Sequence, residues 1–187
     1  MAPAQASLLL LRHGIAEERR PGLPDHGRAL TAAGRRRTEA VLEKLVALGL
    51  GVERLIASPL LRARQTAEIA VAAGLAPALE LATALEPGGD ALPLLAAWLA
   101  PAPAAGPALR PLRLALVGHE PDLGDLAARL IGAPAGSIPL RKAGLALLEP
   151  EGLGDPVTPA GQDPAAFSPG PGIWRLRLLL SPRLLLS

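Results

Sequence analysis

Three features of the chain predict an α/β fold, a three-layer α/β/α sandwich with a mostly parallel sheet. Apolar runs of strand length recur without polar alternation at 7–12, 54–58 and 113–118, as expected of central strands covered by helices on both faces. Segments with helical periodicity and clear start and stop residues lie between them. Half of the residues are apolar but only 2% are aromatic, so Leu, Ala, Val and Ile must fill the core, which favours layered helices and strands over an aromatic-rich β sandwich. The 187 residues suffice for one good core, and a single domain over 1–187 is expected.

The first strand, SLLLLR at 7–12, runs straight into His13 and Gly14. Thr31 then offers an N-cap to a helix whose apolar face is Val41, Leu45 and Leu48 and which stops at Gly49. After the strand RLIAS (54–58), Ser58 and Pro59 read as the cap and first-turn proline of a helix that runs to Gly74. A third helix is expected from Ala91 to Leu99, then the strand RLALVG (113–118). The fourth helix starts at Pro121, sets Leu123, Leu126, Ala127 and Leu130 on one side and ends at Gly132. Beyond Arg141 the alternation ceases, and AGLALLE (143–149) and IWRLRLLL (173–180) read as two more strands with no helix between them. The segment Pro150–Gly172, rich in Pro and Gly, reads as a long flexible loop, and Pro101–Pro111 as a shorter connector of the same kind.

Composition excludes several classes of function. The formal charge is only +2, and arginine supplies it, lysine occurring only at Lys44 and Lys142. Arginine suits phosphate and carboxylate, but a GC-rich coding sequence gives the same bias, and composition is the simpler explanation. The run Arg35–Arg37 reads as a solvated helix face, and without an aromatic platform nothing points to nucleic acid. The lack of cysteine removes disulfides, thiolate nucleophiles and thiolate metal sites together. No basic residue precedes the first leucines, so no signal peptide and a cytoplasmic location are expected. The uncharged stretch Ala91–Leu109 is interrupted by Pro93, Pro101, Pro103, Pro107 and Gly106, so no membrane association is expected.

In an open α/β sheet, ligands bind beyond the carboxyl ends of the strands, where helices begin and free N–H groups gather. His13 follows the first strand, Arg62 lies one turn into the helix after the second, and His119 follows the strand ending at Gly118. Parallel strands would bring all three, with Arg12, to one rim. Two guanidinium groups and two imidazoles there suit a phosphoryl group. Without cysteine, the candidate nucleophiles are His, Ser, Thr, Asp or Glu, and His13 is the best placed.

Four motifs carry a family resemblance: LRHG (11–14), RALTAAG (28–34), SPLLRARQTAE (58–68) and VGHEPDL (117–123). In order and spacing they resemble the histidine phosphatase superfamily, in its phosphoglycerate-mutase-like branch. Within it the chain is most similar to the SixA-type phosphohistidine phosphatases, with GGD at 88–90 and LSP at 180–182 also shared. The resemblance spans nearly the whole chain. It implies a phosphoglycerate-mutase-like fold, a covalent phosphate on His13, and phosphoryl oxygens held by Arg12, Arg62 and a cationic His119. It implies no cofactor and no metal.

Larger relatives in that branch protonate the leaving alkoxide with a carboxylic acid, and Glu86 in LEPGGD is the candidate here. An alkoxide needs that proton, whereas an imidazole with a pKa of roughly 6.5 leaves readily. A phosphohistidine substrate can therefore do without a strong acid, and phosphohistidine on a signalling phosphotransfer protein is the expected substrate; Glu86 reaching the pocket would favour an ordinary phosphomonoester. A sugar or nucleotide phosphate, or a phosphate-binding module without turnover, are the alternatives. Arg28 reads as a tie for the loop before Thr31, and His26 as exposed. A zinc site of His13, His26 and His119 lacks compact ligand spacing.

Overall fold

The structure, a computed structural model, describes residues 6–22, 24–99, 113–150 and 174–187. In chain order it contains β1 (Ser7–Arg12), α1 (Ala32–Ala47), β2 (Arg54–Ala57), α2 (Leu61–Ala72), β3 (Glu80–Leu81), α3 (Leu92–Leu99), β4 (Arg113–Gly118), α4 (Asp122–Leu130), β5 (Leu145–Pro150), β6 (Trp174–Leu180) and α5 (Pro182–Leu185). The six strands form one sheet in the order β3-β2-β4-β1-β5-β6. β1, β2, β3 and β4 pair in parallel, while β5 and β6 add antiparallel at the other side. The sheet is mixed, with four parallel strands running from the β3 edge to β1, mostly parallel as the sequence predicts.

β1 shows why an unbroken apolar run was needed. Leu8 and Leu10 belong to a core shared with α3 and α4, whereas Leu9 and Leu11 belong to a second core shared with α1 and α2. Side chains alternate across a strand, so both faces must be apolar when helices cover both. All four leucines are at most 1% exposed. Full burial of each contributes on the order of 2 kcal/mol, and the strand is thereby fixed as the floor beneath Arg12 and His13.

The capping prediction for α1 holds: Thr31 Oγ1 accepts from Gly34 N at 2.9 Å. Its apolar face differs in one residue. Val41, Leu42 and Leu45 are fully buried, but Leu48 is 55% exposed, because the helix ends at Ala47 and the chain turns away at Gly49 with φ +74°. Ser58 does not cap α2. That helix begins at Leu61 with no side-chain cap, and the Ser58 hydroxyl is committed elsewhere. β3 was not foreseen; two exposed residues beside Ile56 and Ala57 are too short for any periodicity to register.

β5 begins at Leu145, two residues later than expected. Ala143 takes a left-handed conformation with φ 58° and donates its N–H to the carbonyls of Arg12 and His13 at 3.2 and 3.1 Å. Ala143 and Gly144 therefore form a turn against the end of β1 rather than strand. The expected loop Pro150–Gly172 lies outside the described residues except for Pro150, which closes β5. The Pro101–Pro111 connector lies outside them entirely. Among the described residues, no helix is long and apolar enough to cross a membrane.

Candidate active site

The carboxyl ends of β1, β2 and β4 lie side by side, and β1 and β4 pair through to Arg12 opposite Gly118. The main chain continues this register: His13 N donates to the Gly118 carbonyl at 3.1 Å, and Ser58 N to the Val117 carbonyl at 2.9 Å. His13 and His119 thus leave adjacent strands at the same level. Their ring centroids are 5.1 Å apart with planes tilted by 55°, and both residues are buried, as is Arg62.

Gly14 and Gly34 explain how the chain turns beneath His13. A Cβ on Gly14 would lie 2.3 Å from Thr38 Oγ1, and one on Gly34 would lie 2.0 Å from the Ile15 carbonyl oxygen. Lacking side chains, they let the turn after β1 press onto α1. Gly14 N then donates to Thr66 Oγ1 at 3.0 Å, and Leu30 N donates to Gln65 Oε1 at 2.7 Å. Gln65 and Thr66 of α2 therefore fasten both ends of the connection between β1 and α1, a job that a helical QT pair did not announce in the sequence.

His13 is held as a neutral ring with a defined tautomer. Its Nδ1 lies 2.7 Å from the Gly14 carbonyl oxygen. A carbonyl only accepts, so Nδ1 carries the proton and Nε2 the lone pair. Burial, joined by His119, Arg62 and Arg12 against the raising effect of Gly14, pushes the ring pKa down to about 3. At neutral pH the ring is therefore uncharged and nucleophilic.

Where the family resemblance implied a cation, His119 too is held toward its neutral form. Burial first, then Arg62, lowers its pKa to about 4, with Asp25 opposing. Its Nε2 is 2.9 Å from Ser58 Oγ, the hydroxyl expected to cap α2. Ser58 Oγ also accepts from Leu60 N at 3.3 Å. The other ring nitrogen of His119, Nδ1, is buried without a partner.

Both arginines carry buried Nε atoms without hydrogen-bond partners. Arg12 spends NH1 on the Leu140 carbonyl at 2.8 Å. Arg62 donates NH1 to the Asp25 carbonyl oxygen at 3.0 Å and NH2 to Asp25 Oδ2 at 2.9 Å. Desolvation lowers both guanidinium pKa values, with Glu120 and Asp25 respectively opposing, yet arginine stays charged. Two buried cationic donors left unpaired are costly for a purely structural site. They are what an oxyanion would satisfy.

Asp25 and Glu120 were not singled out in the sequence. A lone aspartate in a Pro and Gly loop gives no periodic signal. Although desolvation opposes it, contacts with Arg28, Arg19 and Arg62 hold the Asp25 carboxyl far below the ordinary carboxylate range. Arg28 has the tying role expected of it, donating to Asp25 Oδ1 at 2.7 Å and to the Glu17 carbonyl at 2.7 Å. Burial pushes the Glu120 carboxyl up, while N–H groups of Leu140 and Gly124 and the Arg12 charge pull it back.

Glu86 follows a short 3-10 turn, Thr83–Leu85, and lines a cleft of about 200 Å³ together with His119, Asp90 and Asp122. Its loop is pinned: Gly89 N donates to the Glu86 carbonyl at 2.8 Å, and Gly88 N to Asp122 Oδ1 at 3.2 Å. Glu86 thus lines the same cleft as His119, while His13, Arg12 and Arg62 are not part of that lining. His26 is exposed, and no cluster of metal-ligating side chains occurs among the described residues.

Residues 8–85 match the histidine phosphatase superfamily (branch 1). An uncharacterized protein of Picosynechococcus sp. is 44% identical over 139 residues, spanning 74% of this chain and 81% of that protein. Among solved structures, the protein histidine phosphatase SixA complexed with tungstate is similar at TM-score 0.67 and 24% identity, covering 95% of this chain and 97% of that one. Mycobacterial glucosyl-3-phosphoglycerate phosphatase is similar at TM-score 0.64 and 20% identity, covering 92% and 97%. At such identities the structural likeness establishes the fold.

Proposed function

The chain belongs to the histidine phosphatase superfamily (branch 1), and from this we propose that it is a metal-independent phosphatase acting through phosphorylated His13, with phosphohistidine as its substrate. The observation that carries the reading is the His13 ring itself, its Nδ1–H fixed on the Gly14 carbonyl and its pKa held at about 3, beside the buried Arg62 and half-buried Arg12, whose Nε atoms are buried without partners. In the first step the Nε2 lone pair forms a bond to phosphorus while the bond to the leaving group breaks. In the second, water attacks phosphorus, the Nε2–P bond breaks and the ring recovers its lone pair. Arg12 and Arg62 donate to the equatorial oxygens in both steps. An incoming dianion reverses the electrostatics felt by His119, so a second proton becomes favourable.

Phosphohistidine is favoured because its imidazole leaves at neutral pH without a strong acid. A second reading, a phosphatase of small metabolites, has its own support. Glu86 lines the cleft with His119, where a carboxylic acid could protonate an alkoxide. Among similar structures, one is named a protein histidine phosphatase and another a glucosyl-3-phosphoglycerate phosphatase. The test is a comparison of kcat/KM for a phosphohistidine peptide, a phosphotransfer protein, sugar phosphates and nucleotides. We expect phosphohistidine to lead, and Glu86→Gln to slow ester hydrolysis more than phosphohistidine hydrolysis. A metabolite turned over faster than phosphohistidine overturns the first reading. Oxyanion binding without turnover of any substrate would mark a binding module instead.

A further inference from the structure

Arg62 is only 3% exposed, and one residue holds its head. Asp25 receives NH1 on its main-chain carbonyl and NH2 on its carboxylate. Asp25 is held in turn: its Oδ1 accepts from Arg28 Nε at 2.7 Å and Arg19 Nε at 3.2 Å, while Arg28 is anchored on the Glu17 carbonyl. A continuous chain of charge-assisted contacts thus runs from the loop after β1 to the first turn of α2. With NH1 and NH2 each donating to Asp25, the guanidinium is held at two points, and Nε is the nitrogen left buried without a partner.

We propose that Asp25 is a positioning residue, clamping the terminal nitrogens of Arg62 so that Nε–H is presented to an oxygen of the phosphoryl group. The inference rests on the phosphoryl-transfer reading of this pocket. A donor fixed before substrate arrives needs no reorganisation as charge develops. The carboxylate does not cancel the site's charge, because three guanidinium groups surround it. The opposite role, a placeholder that substrate displaces from Arg62, is at odds with the main-chain carbonyl contact, which no displacement of the carboxylate removes. The two roles differ in sign: losing a clamp weakens oxyanion binding, and losing a placeholder strengthens it.

The test is a double-mutant cycle of Asp25→Ala and Arg62→Ala, with Asp25→Asn as the conservative variant. It is read as kcat and KM for p-nitrophenyl phosphate and as tungstate affinity by calorimetry. Asp25→Ala is expected to lower kcat by about 10- to 100-fold with a smaller change in KM, and tungstate affinity by about 10-fold. Asp25→Asn should recover most of the loss, since an amide oxygen still accepts and the carbonyl is unchanged. In the Arg62→Ala background, Asp25→Ala should cost less than about 2-fold. Additive losses would reveal a general structural role, and tighter tungstate binding by Asp25→Ala would reveal a placeholder; either overturns the proposal. If the parent protein hydrolyses no phosphate compound, the proposed function fails, while the tungstate cycle still decides the role of Asp25.

Discussion

An arginine paired with a carboxylate starts β2 and another follows it in α2, and the two pairs are built for different purposes. At its start, Arg54 meets Glu80 of β3 through two parallel contacts of 2.8 Å, with side chains 36% and 51% exposed. Beyond its other end, Arg62 meets Asp25 with its own side chain 4% exposed and Nε unpaired. The Glu80 contact raises the Arg54 pKa; at Arg62 desolvation prevails and lowers it. The same chemistry is thus saturated at one rim of the sheet and left unfinished at the other. At the carboxyl ends of the strands, a buried guanidinium Nε without a partner is the donor that an incoming anion would satisfy.

The contrast is tested most strongly by removing each arginine. Arg62→Ala should lower kcat for an aryl phosphate by about 10²- to 10³-fold, read in steady-state kinetics. A loss under 10-fold would mean that the buried guanidinium is structural after all.

The next effect concerns the support beneath the active rim. Gly34→Ala puts a Cβ against a main-chain oxygen at 2.0 Å, so either α1 or the turn after His13 must move. Denaturant unfolding should show a loss of about 1–3 kcal/mol, with activity falling as well. An unchanged midpoint would show that the two segments separate freely.

Acid should expose the same rim. His13 and His119 sit at about 3 and 4 against roughly 6.5 in the unfolded chain. Between those values the unfolded state binds more protons, so stability falls as pH drops below about 6.5 and levels off below the folded values. Each imidazole contributes at most about 1.4 kcal/mol per pH unit. Thermal melts from pH 8 to 4 check the slope, and replacing both histidines with asparagine should flatten it. A slope unaffected by those replacements would place the acid sensitivity elsewhere.

The smallest effect belongs to the saturated rim. Arg54→Ala should cost about 0.2–1 kcal/mol and leave kcat/KM unchanged. A large loss of activity there would erase the distinction between the two pairs.

The sequence shows the frame of this site more clearly than its fittings. β1 and β4 can be read to the residue because burial on both faces demands apolar side chains at every position. Arg12, His13, Arg62 and His119 can be read because strand ends followed by helices are where polar residues converge. Asp25 cannot, since it acts through a contact 37 positions away in the chain from an irregular loop. Ser58 reads as a helix cap from its neighbour Pro59, yet its hydroxyl meets His119, 61 positions on. The start of β5 is displaced because Ala143 accepts a backbone conformation that its side chain does not favour, set by contacts with Arg12 and His13. Local pattern forecasts elements, and long-range hydrogen bonds decide what their ends do.

The central claim is that His13 takes phosphorus covalently. Rapid alkaline quench of the protein with substrate, followed by peptide mass spectrometry, should find an acid-labile phosphate on His13 in the parent protein and none in His13→Ala, which should also lack turnover. Phosphate release with no label on His13, or turnover that survives His13→Ala, would contradict it.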